Sequence, residues 1–214
     1  MDSLGIYTIP DISRILGLPY SRVQYWIREY WLNDNDFDQN NYIIGDKKDR
    51  VTNFFSLIEF YTFSQLKLHG ISTQKILKAH NVISEQLKTP YPFASSIILT
   101  DGKRVFFSPD NEKSIIHADI TLQYNIAEII RQFCDKIDFK DAMAYRFWPE
   151  GRSRSIVIDP DHQFGQPILA ETNLLAETLY LLNKGGESIE FISSLYNIPI
   201  SKVNDAIEFY KKSA

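Results

Sequence analysis

The chain has a single cysteine, Cys134, among its 214 residues. An internal disulfide is therefore impossible, and the usage fits a reducing compartment. No apolar run approaches the roughly 20 residues that a bilayer-spanning helix needs. The opening MDSLGIYTIPD also lacks the basic and apolar regions of a secretory signal. Together these absences predict a cytoplasmic chain that does not span a membrane. Excess positive charge is missing too: the net charge is −4, which argues against nucleic-acid binding over most of the surface. His69, His80, His117 and His162 are scattered, without HxxxH or CxxC spacing for a metal. Nucleophile contexts around Ser or Cys and phosphate-cradling Gly loops are absent. Asp34, Asp36 and Asp38 alternate as in a calcium loop, but Gln39 and Gly45 stand where such a loop needs Gly and Glu. The expectation is a non-enzymatic protein with no metal and no cofactor.

What is present is an ordinary globular composition, 44% hydrophobic and 23% charged, with enough apolar content for a packed core. Aromatics reach 14%, which predicts large buried surfaces, some of them between chains. Charge is uneven. Residues 1–92 are balanced, with ten basic and ten acidic side chains, whereas 93–214 carry thirteen basic and seventeen acidic. Any nucleic-acid contact is therefore expected at the front.

The front reads as two short helices. Thr8 caps the first, Asp11 completes a capping box, and Tyr7 and Ile12 form a hydrophobic staple. Pro10 is tolerated in the first turn, Ile9, Ile12 and Leu16 give the apolar face, and Gly17 stops the helix. A second helix opens at Pro19 and buries Val23, Trp26 or Ile27, and Tyr30. Two helices on a tight Gly turn make a helix-turn-helix. From Trp31 to Asn53 the helical period fails; Tyr42–Ile44 reads as a strand of a hairpin or wing. Thr52 or Asn53 then caps FFSLIEFYTFSQLKLHG, a helix apolar around most of its circumference, as expected of a dimer core or of an enclosed intramolecular helix. Ser72 caps the next, with Ile76, Ala79 or His80, Ile83 and Leu87 on one face.

Residues 93–150 read as a small mixed α/β segment: strands Ser96–Leu99 and Val105–Phe107 around Asp101-Gly102, a helix over about Leu122 to Lys136, and a strand at Ala142–Trp148. Pro149–Ser155 is the best linker candidate, and Ser155–Ile158 a further strand. The domains expected are 1–92, 93–150 and 151–214. Three helices close the chain: Leu174–Asn183, one capped by Ser188 that buries Ile189, Ile192, Leu195 and Tyr196, and one capped by Ser201 that buries Val203, Ala206, Ile207 and Tyr210. The last two make a second helix-turn-helix. The fold class is mainly α, of α+β type.

A helix-turn-helix lays its second helix in the major groove, so outward side chains there must be polar and long. Tyr20, Ser21, Arg22, Gln24, Tyr25 and Arg28 meet that requirement, and Lys47 and Lys48, with Arg50, are wing residues suited to phosphate. The alternative is a packing hairpin with solvated arginines. The rear unit has Asp205 and Glu208 among its outward positions, the wrong charge for phosphate, which suits protein contact. Asp159-Pro160-Asp161-His162 reads as a polar turn between strands.

The run IVIDPDHQFGQPIL, followed by TNLLAETLYLLNKGGESIEFISSLYNIPISKVNDAIEFY, resembles a domain-of-unknown-function family of VapB-like antitoxins. Asp159-Pro160, Phe164-Gly165, Pro167, Gly186-Glu187-Ser188, Tyr196 and Ala206 carry the likeness; the family's Gly-Thr-Arg stands here as Glu171-Thr172-Asn173. YTIPDISRILGLPYSRVQYWI resembles the start of MerR-like winged helix-turn-helix domains, and LIEFYTFSQLKLHGISTQKILKA the helix pair after their wing. The long dimerising helix and effector-binding cysteines of MerR sensors are missing. The resemblance implies an N-terminal MerR-like winged helix-turn-helix and a C-terminal trihelical helix-turn-helix. It further implies a type II antitoxin that binds a PIN-like ribonuclease toxin and represses its own operon by binding the operator, expected as a homodimer because such proteins read two half-sites. A stand-alone MerR-like regulator without a toxin, and a pure interaction module, are the alternative readings.

Overall fold

The computed structural model describes residues 5–31, 43–44, 50–95 and 133–212. Strand β1 (Tyr7–Thr8) leads directly into α1 (Ile9–Leu16), and the expected capping box is formed. Thr8 Oγ1 accepts from the Asp11 N–H at 3.3 Å, and Asp11 Oδ2 accepts from the Thr8 N–H at 2.9 Å. Tyr7 and Ile12 are both buried, as a staple requires, while Ile15 rather than Leu16 takes the second inner position. Gly17 ends the helix at φ 62°, a left-handed conformation that glycine enters freely. Helix α2 (Tyr20–Trp26) follows and widens into a π-helical turn, Ile27–Trp31.

Strands β2 (Ile43–Ile44) and β3 (Val51–Thr52) join β1 in a small antiparallel sheet of order β1-β3-β2, with Thr52 opposite both Tyr7 and Ile43. Asn53 caps α3 (Phe54–Leu68) by accepting from the Ser56 N–H at 2.9 Å. Ser72 caps α4 (Thr73–Leu87), which buries Ile76, His80 and Ile83. A 3-10 turn, Pro92–Ala94, then lies against α3. The expected strands Ser96–Leu99 and Val105–Phe107, and the helix from Leu122, fall outside the described residues, apart from the helical pair Phe133–Cys134.

Strands β4 (Ile137–Lys140) and β5 (Met143–Phe147) form a hairpin whose turn residues Asp141 and Ala142 both have positive φ, 51° and 67°. Strand β6 (Ile156–Val157) pairs with β7 (Ile168–Leu169). A backbone bridge from Phe147 to Ile158 joins the two sheets across the stretch expected as a linker. That stretch is fastened on both sides: Arg152 donates to Asp138, and Arg154 to Asp205 at 2.7 Å. Helices α5 (Ala176–Lys184), α6 (Ile189–Tyr196) and α7 (Ile200–Lys212) complete the chain, with α5 and α7 in close contact.

The architecture is mixed α/β and mainly helical, around one continuous core that runs from Tyr7 to Tyr210. Helix α3 is its axis. Phe54, Leu57, Ile58, Phe60, Tyr61, Phe63 and Leu66 are buried, and so are Ser56, Glu59, Thr62 and Ser64. The burial that suggested a dimer core is thus met within the chain itself. Its one carboxylate is held in place: Glu59 Oε1 accepts from the N–H groups of Phe93 (2.7 Å) and Ala94 (3.1 Å), and Oε2 lies 3.0 Å from His80 Nε2. Burial pushes the Glu59 carboxyl above its ordinary value, and these partners oppose the shift. Among the described residues, no helix is long and apolar enough to cross a membrane.

Candidate nucleic-acid interface

Helix α2 divides cleanly between two environments. Val23, Trp26 and Ile27 are buried, and the Trp26 ring meets Phe63 of α3 edge-on at 5.0 Å. Tyr20, Ser21, Arg22, Gln24, Tyr25 and Arg28 are all exposed, so the structure brings these six predicted residues to one outward face. The π-helical turn adds one residue to the helical repeat and carries Arg28 beside Tyr25, with its guanidinium 5.8 Å from that ring's centre. Arg28 Nε also donates to Glu29 Oε1 at 2.8 Å, which spends part of its charge locally. Tyr25 and Tyr30 meet edge-on at 5.9 Å. Lys47 and Lys48 lie outside the described residues; Arg50, just before β3, is half-buried.

The rear pair α6–α7 repeats the front pair α1–α2 at a constant offset of 180 residues. Thr8, Ile12, Ser13, Gly17, Pro19, Ser21, Val23, Ile27 and Tyr30 correspond to Ser188, Ile192, Ser193, Asn197, Pro199, Ser201, Val203, Ile207 and Tyr210. The geometry repeats with the residues. Ser188 caps α6 through the Phe191 N–H at 3.1 Å, and Asn197 takes the left-handed turn position at φ 51° where Gly17 stood. Ser13 Oγ donates to the Leu18 carbonyl at 2.5 Å, and Ser193 Oγ to the Ile198 carbonyl at 2.6 Å. Neither hydrophobic period nor composition reveals this; aligning the chain with itself does.

The repeat exposes how far the two faces have diverged. In place of Arg22, Tyr25 and Arg28 the rear carries Lys202, Asp205 and Glu208. Lys202 Nζ reaches the Ala170 carbonyl at 3.3 Å. Asp205, expected to point outward, is only 8% exposed; it accepts from Arg154 and from the Ser155 N–H at 2.8 Å. Burial works to raise its pKa, but the hydrogen bonds from Arg154 and Ser155 prevail and hold it below the ordinary carboxylate value. Glu208 pairs with the same arginine at 2.9 Å. Leu195, expected inside, is 55% exposed, beside Phe191 at 49% and Ile200 at 47%.

Two further groups bear on chemistry. The half-buried Cys134 thiol is pushed up to about 12 by burial, so it is protonated and a poor nucleophile at neutral pH. Among the described residues, no group of three His, Cys, Asp or Glu side chains is placed to hold a metal ion.

Residues 156–210 match the family model described as a protein of unknown function, DUF433. No curated protein matches the chain. Among solved structures, the X-ray crystal structure of Rv2018 from Mycobacterium tuberculosis is similar: the TM-score is 0.71 over 94% of this chain and 96% of that one, at 17% identity. At that identity the likeness concerns the fold.

Proposed function

We propose that the chain is the antitoxin of a type II toxin–antitoxin pair, a cytoplasmic homodimer that represses its own operon through α2 and neutralises a PIN-like ribonuclease. In this reading the front is a MerR-like winged helix-turn-helix and the rear a trihelical helix-turn-helix given over to protein contact. The observation that carries the reading is the divergence of two copies of one helix pair. The front copy keeps an outward row of Tyr20, Ser21, Arg22, Gln24, Tyr25 and Arg28 over a buried floor. The rear copy turns its equivalent charges into internal ion pairs and exposes Phe191, Leu195 and Ile200 instead. Polar side chains on a groove-sized helix suit base edges and phosphates, whereas exposed large apolar side chains suit a protein partner. An acidic remainder of the chain complements the cationic surface of an RNA-binding enzyme.

Two experiments test this. Arg22→Ala and Gln24→Ala should each weaken binding to the chain's own promoter by about 1–3 kcal/mol in a mobility-shift titration. Co-expression with the neighbouring open reading frame should restore growth and yield a co-purifying pair, and Leu195→Asp should abolish both while leaving promoter binding intact. If promoter binding is present but no neighbouring nuclease is captured or neutralised, the stand-alone regulator is correct. If the α2 substitutions change nothing, the helix pair is a packing unit.

A further inference from the structure

The turn between β6 and β7, together with β5, encloses a cleft of about 440 Å³. Its lining combines the apolar Val157 and Ile168 with Arg146, Asp159, His162, Thr172, Asn173 and the exposed Glu171, whose carboxylate lies 3.4 Å from Lys202 Nζ. The most buried of the polar groups is Asp159, only 3% exposed. Asp159 Oδ1 accepts from the Asp161 N–H at 3.0 Å, which fixes the carboxylate through its own turn. Its Oδ2 accepts from Arg146 Nε at 2.6 Å and lies 3.2 Å from His162 Nδ1. The buried acid therefore orients the Arg146 guanidinium, and the His162 ring, whose buried Nδ1 makes no hydrogen bond to the described residues, lines the same space. Among the described residues the Arg146 guanidinium has no other hydrogen-bond partner, so both Nη groups remain for a ligand. The His162 ring brings two ring nitrogens to the cleft, and its buried Nδ1 has no hydrogen-bond partner among the described residues. A guanidinium gripped side-on by a carboxylate loses little freedom on taking an oxyanion, and its Nη pair matches two oxygens at once.

The rest of the lining is of another kind. Trp148 contributes its indole to the wall, and its Nε1 is tied to Asp138 Oδ2 at 2.9 Å, so the ring is fixed. Arg152 lies 5.7 Å from the centre of that ring. Asn173 stands at the rim. A fixed indole and aliphatic side chains in one lining are suited to a flat ring, and a side-chain amide to its edge. The volume falls within the range of about 300–1,000 Å³ that small-molecule sites occupy.

We propose that this cleft binds a mononucleotide: Arg146 and His162 take the phosphomonoester, and Trp148, Val157, Ile168 and Asn173 take the base. The proposal is independent of the DNA and toxin reading, because the cleft lies on the turn before α5 and shares no residue with the α2 face.

Isothermal titration of the full chain with AMP, GMP, CMP and UMP tests it, with inorganic phosphate and the matching nucleoside as controls. At least one nucleotide should bind with a dissociation constant below about 1 mM, and about tenfold or more tighter than phosphate or nucleoside alone. Arg146→Gln should weaken it about tenfold or more. Because that change also strips Asp159 of a partner, Asn173→Asp serves as the second variant. It sits at the rim, leaves the Asp159 cluster untouched, and should weaken the nucleotide comparably by repulsion. Both variants are checked for an unchanged far-ultraviolet spectrum. Absence of binding by all four nucleotides, binding no tighter than that of phosphate, or an affinity unchanged in Asn173→Asp would each overturn the assignment.

Discussion

At the scale of single residues, backbone conformation explains one departure from the pattern seen in the sequence. Glu171 stands where the resemblance drawn from the sequence expects the Gly of a Gly-Thr-Arg, and it sits at φ 66°. An L side chain in that region costs about 1–2 kcal/mol, which glycine avoids. Glycine gives back part of the gain through the freer unfolded chain. Against the change stands the contact of Glu171 Oε2 with Lys202 Nζ at 3.4 Å, from a glutamate that is 88% exposed, and such a pair contributes little. Glu171→Gly should therefore raise stability by about 0.5–1 kcal/mol in urea denaturation. Unchanged or lower stability would show that the glutamate has a role the backbone strain does not express. The departure itself was visible in the sequence. Its meaning was not, because a positive φ outside glycine leaves no mark in one sequence.

At the scale of elements, the strongest local signals were legible and the weak ones were not. The Thr8 capping box, the Asn53, Ser72 and Ser188 caps, the Gly17 stop and the apolar periods place α1, α2, α3, α4, α6 and α7 close to where they lie, since each rests on residues near in sequence. Ser201, expected to cap α7, is instead its second residue. The β4–β5 hairpin was half missed. Its turn is Asp141-Ala142, without the Gly that marks such turns, so the sequence places a strand at Ala142–Trp148 but none over Ile137–Lys140. Leu195 was placed inside by helical period alone, yet no described element covers it, and period cannot report a missing neighbour. Helix α3 shows the converse. Its apolar circumference was read correctly as burial, but nothing in one helix says whether the cover comes from the same chain. The answer hangs on Glu59, whose side chain ties α3 to α4 through His80 and to the 3-10 turn through two N–H groups. Glu59→Ala leaves those donors buried without an acceptor and should cost about 3–5 kcal/mol, measured by urea unfolding. Glu59→Gln retains an acceptor for Phe93 and Ala94 and should cost roughly half as much. Equal losses in the two variants would mean that the His80 contact, not the backbone pair, holds the elements together.

At the scale of the whole molecule, the question is what makes the front and rear one body. The candidate DNA face was legible because amphipathic helices declare their outer side, but the packing between the two units was not. Strand β1 lies beneath the turn Gln163–Gly165. The Ile6 N–H donates to the Phe164 carbonyl at 3.0 Å, and Gln166 Nε2 donates to the Ile6 carbonyl at 3.2 Å. Tyr7 is wholly buried there, and Arg14 of α1 lies 5.3 Å from the centre of the Tyr210 ring of α7. Gly165 makes this approach possible: a Cβ on it would stand 2.1 Å from the Tyr7 hydroxyl, and its φ is 80°. Gly165→Ala therefore combines overpacking with a left-handed alanine and should cost roughly 3 kcal/mol. The loss should not be uniform. If the turn is the clamp on β1, amides of α1 and α2 should lose protection by about a hundredfold in native-state hydrogen exchange, because they open without the rear. Amides of α5 and α7, whose mutual packing the substitution does not touch, should keep theirs. Equal loss in front and rear would show instead that the two units open only together, and that the continuous core through α3 couples them more tightly than the β1 clamp does.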